Sequence, residues 1–256
     1  MKYKEILDNL EMYSIIKEDI IKRRGYDQIL ENVVVAPWWD HTLFSNYSSS
    51  IRQVGEKVYN VFGEDFSFSF IEIKNIGASA LLEEVFALGV TSCKKILFIG
   101  SAGALDESIK IGDLAIPLYS HNGVGATRYL NESLKDDFEE KYYSNQLLND
   151  RLMDIIKRMG YEVRLVENYS VDTIIAQFSH IDHIRDLKAK TIEMETSTLF
   201  KCCDMMGIDA TALFVISDNT IKNKSLYNGR NEEDSKRKKK VRDEIVPLVV
   251  VELLKS

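Results

Sequence analysis

Apolar residues recur along this chain in two rhythms that alternate from one end to the other. Ile6, Leu10, Tyr13, Ile16 and Ile20 keep helical spacing and predict one amphipathic helix over 3–24, stopped by Gly25. Val33-Val34-Val35-Ala36 is a short β-branched run, the mark of a buried strand. Residues 66–73 alternate aromatic or apolar positions with polar ones and predict a half-exposed strand. Helical spacing returns over 78–88 and ends at Gly89. The same alternation predicts strands at 95–99, 113–117, 162–167, 190–194 and 210–217. Between and after them it predicts helices at 145–159, 196–206 and about 233–254. Pro247 inside the last helix must fall at a kink or a first turn, because proline cannot donate to the helical ladder. Strands and helices in alternation, with no linker and no internal repeat, predict one α/β domain over 1–256 around a central mixed sheet.

Composition narrows the class. A chain of 256 residues with 45% hydrophobic residues can bury a substantial core, and only three prolines and thirteen glycines argue against low complexity. A net charge of −7 gives no electrostatic reason to bind nucleic acid or an anionic membrane. The one basic run, Lys236-Arg237-Lys238-Lys239-Lys240, reads as a solvated helix face. Cys93, Cys202 and Cys203 have no metal-ligand spacing, and adjacent cysteines on a helix point apart, which suits a reducing compartment. No metal site is expected. The longest apolar run, Ile245 to Leu254, contains Glu252 and is too short to span a bilayer. Charged residues at Lys2, Lys4, Glu5 and Asp8 leave no signal peptide, so a cytoplasmic location is expected.

Three strand ends carry the chemistry. Lys95-Ile96-Leu97-Phe98-Ile99 runs into Gly100-Ser101-Ala102-Gly103, read as a loop whose small residues let backbone N–H groups approach an anion or a sugar. Glu193-Met194-Glu195 sets two carboxylates around a thioether; two acids on one face are costly unless a cation or a hydroxyl-rich group lies between them. Ser217-Asp218 ends the apolar strand Ala212-Leu213-Phe214-Val215-Ile216, and α/β enzymes place reactive groups at such C-terminal ends. Asn75-Ile76-Gly77-Ala78-Ser79 precedes a helix, where Gly77 either lets a ligand approach the helix N-terminus or simply forms a helix-start turn.

Together these segments, with Ile109-Lys110-Ile111-Gly112-Asp113-Leu114-Ala115-Ile116-Pro117, resemble the nucleoside phosphorylase family over roughly residues 74–219. The resemblance implies a central mixed, partly barrel-like sheet flanked by helices. It also implies cleavage of the N-glycosidic bond of a purine nucleoside, in nucleoside catabolism and purine salvage, with inorganic phosphate as co-substrate. The residues take their roles by motif: Glu195 accepts hydrogen bonds from the ribose hydroxyls, Met194 packs on the sugar and Glu193 supports them. Gly100, Ser101, Ala102, Gly103 and Gly77 line the phosphate and ribose region, and Ser217-Asp218 supplies the acid that protonates N7 of the leaving base. The family pairs that acid with an arginine of the last helix region, here Arg237, with Arg230 an equal reading by distance. Family members are homo-oligomers, trimers or hexamers.

Departures from the family pattern concentrate at the acceptor. Phe98 stands where the phosphorolytic members carry an arginine, and Ala36-Pro37-Trp38-Trp39-Asp40-His41 replaces a Gly-Asp-Pro turn that leads to a second arginine. Neither Phe98 nor the tryptophans can offer the cationic fork that phosphate recognition ordinarily uses. Lys74 or Arg128 could rebuild such a site. A hydrolytic branch instead activates water with an acid just after the first strand, where Asp40 and His41 fall. Hydrolysis, or nucleoside binding without catalysis, are therefore the alternatives. Ile174 occupies the place where an aromatic often stacks on the base, and Asp172-Thr173-Ile174-Ile175 replaces the Gln-x-Arg pair of the pyrimidine-specific branch, which favours a purine.

Overall fold

The protein, described over residues 1–255 by a computed structural model, begins with two helices where the periodicity predicts one. Helix α1 (Tyr3–Met12) and α2 (Lys17–Arg24) are separated at Ser14, whose φ of 60° is left-handed and cannot continue a helix. Gly25, at φ 72°, ends α2 as expected. Strands β1 (Asn32–Pro37), β2 (Ser50–Gln53), β3 (Val58–Phe62) and β4 (Ser67–Ile73) follow, then α3 (Ala78–Phe86), β5 (Lys95–Ala104), β6 (Leu114–Gly123) and β7 (Lys141–Tyr143). The second half contains α4 (Gln146–Arg158), β8 (Val163–Val171), α5 (Ile181–Asp186), β9 (Thr191–Glu193), α6 (Thr196–Met206) and β10 (Asp209–Asn219). Helices α7 (Glu232–Lys240) and α8 (Val246–Leu254) close the chain, joined by a π-helical turn at Val241–Ile245. Pro247 therefore sits in the first turn of α8, where its missing N–H costs little.

Five strands form a closed barrel: β10 pairs β6, β6 pairs β8, β8 pairs β9, β9 pairs β5 and β5 pairs β10. A wing of four further strands extends from β5 in the order β1-β4-β3-β2, and β7 adds to β6. The sheet is mixed, as predicted: β1, β4, β5 and β10 run parallel, while β9 is antiparallel to β5 and β6 to β10.

Strand β1 shows why an unbroken apolar run forms here. Val33 and Val35 join the core beneath α3 and α6, with Leu81, Val85, Leu199 and Phe200. Val34 and Ala36 join a second core under α4 and α8, with Leu152, Ile155, Val246 and Val249. A strand covered on both faces has no polar side to alternate with. Several strands outrun their sequence-based limits. Residues 100–104, expected as a loop, continue β5 because β10 on one side and β9 on the other satisfy their backbone groups. Strands β2, β3 and β7, missed by apolar patterning, are short and lie at or near sheet edges. Among the described residues no helix is long and apolar enough to cross a membrane.

Candidate active site

The C-terminal ends of β5 and β10, with the end of β9, open onto one cavity of about 230 Å³. Glu193, Met194 and Glu195 line it from the end of β9, and Ser217 and Asp218 from β10. Gly100, Ser101 and Gly103 line it from β5, and Ile174 from the segment after β8. The two carboxyl groups singled out in the sequence thus face the same space.

Asp218 reaches the cavity through a β-bulge. The β10–β5 register pairs Ile216 with Ala102 and then Asp218 with Gly103, leaving Ser217 as the extra residue. Ser217 Oγ donates to the Ala102 carbonyl at 3.2 Å and to Asp218 Oδ1 at 2.5 Å, which fixes the carboxyl. Burial raises the Asp218 pKa; the Ser217 hydroxyl and the nearby charges of Arg230 and Lys238 pull it back down. Gly103 provides the space: a Cβ there would lie 3.1 Å from Asp218 Oδ2 and 3.2 Å from Ile192 Cγ2.

Glu195 is set differently. Its Oε1 accepts from the Gly77 N–H at 2.5 Å, and its Oε2 from the Met194 N–H at 3.2 Å. Gly77 has φ 101°, a conformation that disfavours a side chain, and this orients its N–H toward the carboxyl. Burial and the adjacent charge of Glu193 push the Glu195 pKa up to about 8, against which these two backbone donors act. Glu193 itself accepts from Asn168 Nδ2 (2.7 Å), Ser170 Oγ (2.5 Å) and Thr196 Oγ1 (2.9 Å). The backbone N–H groups of Glu195 and Thr196 add 2.7 and 2.8 Å contacts at the start of α6. Its carboxylate is a structural anchor that holds the Glu195 backbone.

Several expected residues stand elsewhere. Arg237 pairs with Asp113, half-exposed, so it is not the partner of Asp218. The cations near Asp218 are Arg230, whose Nη1 donates to the Ser217 carbonyl at 3.4 Å, and Lys238, which lines the cavity. One helical step separates Arg237 from Lys238, and spacing alone does not decide which points inward. Ala102 is buried behind the cavity wall and contributes its carbonyl to Ser217. Asp40 and His41 lie outside the cavity. The Asp40 carboxylate caps a short 3₁₀ turn by accepting from the Thr42 N–H at 2.8 Å. His41 stacks on Tyr59 at 3.7 Å and holds Glu72 Oε1 at 2.6 Å from its Nδ1. Atoms of Asp40, His41 and Glu72 gather within 4.8 Å, a cluster that sequence spacing does not reveal. Lys74 is exposed and Arg128 pairs with Asp136, so neither reaches the cavity.

Other wall residues escaped the sequence reading. Gln177, three residues past Ile174, brings a donor and an acceptor; Ile76, Val171 and Leu226 are apolar. Pro37, Trp38, Trp39, Phe98 and Ile192 also line it, and among the described residues Lys238 is its one basic side chain. Trp38 holds a left-handed φ of 59°, and its indole N–H donates to the Lys74 carbonyl at 2.6 Å. That strained position at the end of β1 was a signal only geometry could give.

Comparison with known proteins agrees with this geometry. No curated protein sequence matches the chain. Among solved structures, uridine phosphorylase from Vibrio fischeri ES114 superposes with a TM-score of 0.76 at 16% identity, covering 89% of this chain and 93% of that one. Purine nucleoside phosphorylase from Toxoplasma gondii gives 0.70 at 16% identity, covering 94% and 93%. The 5′-methylthioadenosine/S-adenosyl homocysteine nucleosidase of Campylobacter jejuni gives 0.69 at 16% identity, covering 88% and 98%. The family profile described as the Phosphorylase superfamily matches residues 76–249, more than half of the chain and the span that includes Gly77, β5, Glu195 and Asp218, and the chain belongs to that superfamily.

Proposed function

We propose that this protein cleaves the N-glycosidic bond of a purine ribonucleoside, with Asp218 as the acid at the base and Glu195 at the ribose. The observation that carries this reading is the opening of both carboxyl groups onto one cavity. As C1′–N9 breaks, electrons move to the base and the sugar becomes oxocarbenium-like. A carboxyl whose pKa is raised by burial can donate its proton to N7 as that charge develops, a contribution of about 10²–10⁴-fold. Asp218 has that burial, and Ser217 aims it. Glu195, immobilised by Gly77 and Met194, meets the ribose hydroxyls, and Met194 packs on the ring. Pyrimidines lack N7, so an acid at this position favours purines. Gln177 is the side chain suited to reading the base edge.

Water is the better-supported acceptor. The wall around Gly100 and Ser101 carries Pro37, Trp38, Trp39 and Phe98, and the one lining cation, Lys238, is the neighbour of Asp218. An oxyanion beside the sugar would meet only Ser101 and backbone amides. A dissociative displacement makes the sugar carbon electrophilic enough for weakly activated water to complete the reaction. Incubation with inosine or adenosine, with and without phosphate, tests both steps. Free ribose at a rate indifferent to phosphate is expected; ribose 1-phosphate would reinstate phosphorolysis, and tight binding without turnover would leave a nucleoside-binding protein. Assembly into a trimer or hexamer belongs to the same proposal, and molar mass by light scattering checks it.

A further inference from the structure

The basic run on α7 is largely solvent-exposed, as its composition suggests, with Lys238 the half-buried exception. Lys236 pairs with Glu232 and Arg237 with Asp113, whereas Lys238 and Lys239 turn with Arg242 into a separate pocket of about 250 Å³. Arg230, Ser217 and Ser235 complete its polar wall, and among the described residues no carboxylate lines it. Lys239 forms no ion pair among the described residues, and Arg242 meets only the adjacent Asp243. Lys238, near the end of α7, and Arg242, in the π-helical turn that follows, bring like charges to one pocket, an arrangement that costs stability. Burial and the charges of Arg230 and Arg242 lower the Lys238 pKa, while Asp218, on the nucleoside side, opposes them in part. In a chain of net charge −7 such a concentration of cations is a local exception.

Its position gives the cluster a role. Ser217 and Lys238 line both this pocket and the nucleoside cavity, so the two spaces adjoin at the Asp218 end. Gly100, Ser101 and Gly103 do not line it, which sets it apart from the sugar and acceptor side. On a purine, the 6-substituent lies next to N7. A base held with N7 at Asp218 directs that substituent past Asp218 toward Lys238. Resting on the nucleoside reading above, we infer that the pocket binds an acidic group carried on the leaving base, making the substrate a purine nucleoside with a carboxylate-bearing 6-substituent. Cations there also oppose the negative charge gathering on the base during bond cleavage.

The test compares equilibrium binding of two uncleavable probes, carbocyclic adenosine and carbocyclic N6-succinyladenosine, by calorimetry at low salt. The acidic probe should bind at least about tenfold more tightly, as expected for one or two charge-assisted contacts. That preference should shrink with added salt. The Lys239→Gln and Arg242→Gln variants, whose side chains line only the basic pocket of the two, should reduce the preference severalfold while leaving carbocyclic adenosine unchanged. Equal binding of the two probes would overturn the inference and leave the nucleoside reading intact. Saturable binding of inorganic phosphate to the pocket, without preference for the acidic probe, would overturn it in favour of a free-oxyanion site. Binding of neither probe would overturn both readings.

Discussion

Glu195 and Asp218 share a cavity, are buried to the same degree and stand at strand ends, yet their surroundings follow opposite electrostatic plans. Around Glu195 there is another carboxylate and a shell of neutral donors; burial and that neighbour both raise its pKa, to about 8. Around Asp218 there are a serine hydroxyl and two cations, which oppose the rise that burial imposes. The first arrangement suits a group that holds neutral hydroxyls; the second suits a group that must give up a proton as its partner gains charge. Identical chemistry at two strand ends is thus divided into two roles by what stands behind each.

The strongest way to break this comparison is at Asp218. Replacement by Asn keeps size and the Ser217 contact but removes the transferable proton, so kcat on inosine should fall by about 10²–10⁴ with little change in KM. Steady-state rates decide it, and a variant within threefold of the parent would remove the acid from the mechanism.

Glu195→Gln comes next. Above about pH 8, where Glu195 is ionised, loss of its carboxylate at the ribose should lower kcat/KM by about 10–100-fold, a value typical of one or two charge-assisted hydrogen bonds. The same change should improve stability, and the sign follows from the direction of the shift. A carboxyl whose folded pKa is about 8 against an ordinary 4.5 binds protons more strongly when folded, so folding stability falls as pH rises through that interval. In the Gln variant that decline is absent. Its advantage in melting temperature should therefore be negligible near pH 4.5 and grow toward pH 8, by on the order of ten degrees on this scale. Thermal unfolding across pH reads this directly; parallel curves for the two proteins would show that Glu195 carries no such burden.

Lys238→Met sharpens the other half. Removing one of the two cations that lower the Asp218 pKa leaves burial opposed only by Ser217 and Arg230, so the acid stays protonated to higher pH. The alkaline limb of the kcat profile should move upward whatever happens to its plateau. A limb that moves down would reverse the proposed influence of Lys238.

Much of this arrangement was legible in the chain, and what was not has identifiable causes. Glu195, Asp218 and Ser217 announced themselves because a polar group after an apolar strand has few other places to be. The partly barrel-like sheet was implied by the family resemblance and not by periodicity, since closure depends on β9, a three-residue strand pairing with both β5 and β8. Small residues at 100–103 read as a loop from composition, while neighbours on both sides make them strand. The bulge at Ser217 leaves no periodicity to detect. Asp40 fits the position of an acceptor acid by distance along the chain, but its carboxylate caps a 3₁₀ turn outside the cavity.

The smallest expected effect concerns Arg237 and tests this spatial reading against sequence spacing. Arg237 and Lys238 are neighbours in a basic run, and nothing in their identity says which faces Asp218. In the folded protein Arg237 binds Asp113, with its side chain 45% exposed, and borders a different surface depression beside Gly112. An ion pair so open to solvent contributes at most about 0.2–1 kcal/mol. Arg237→Ala should accordingly leave kcat and its pH profile within about twofold of the parent and cost no more than that stability in urea unfolding. A loss of activity comparable to that of Asp218→Asn would mean that the helix turns by one residue when substrate binds, bringing Arg237 inward in place of Lys238.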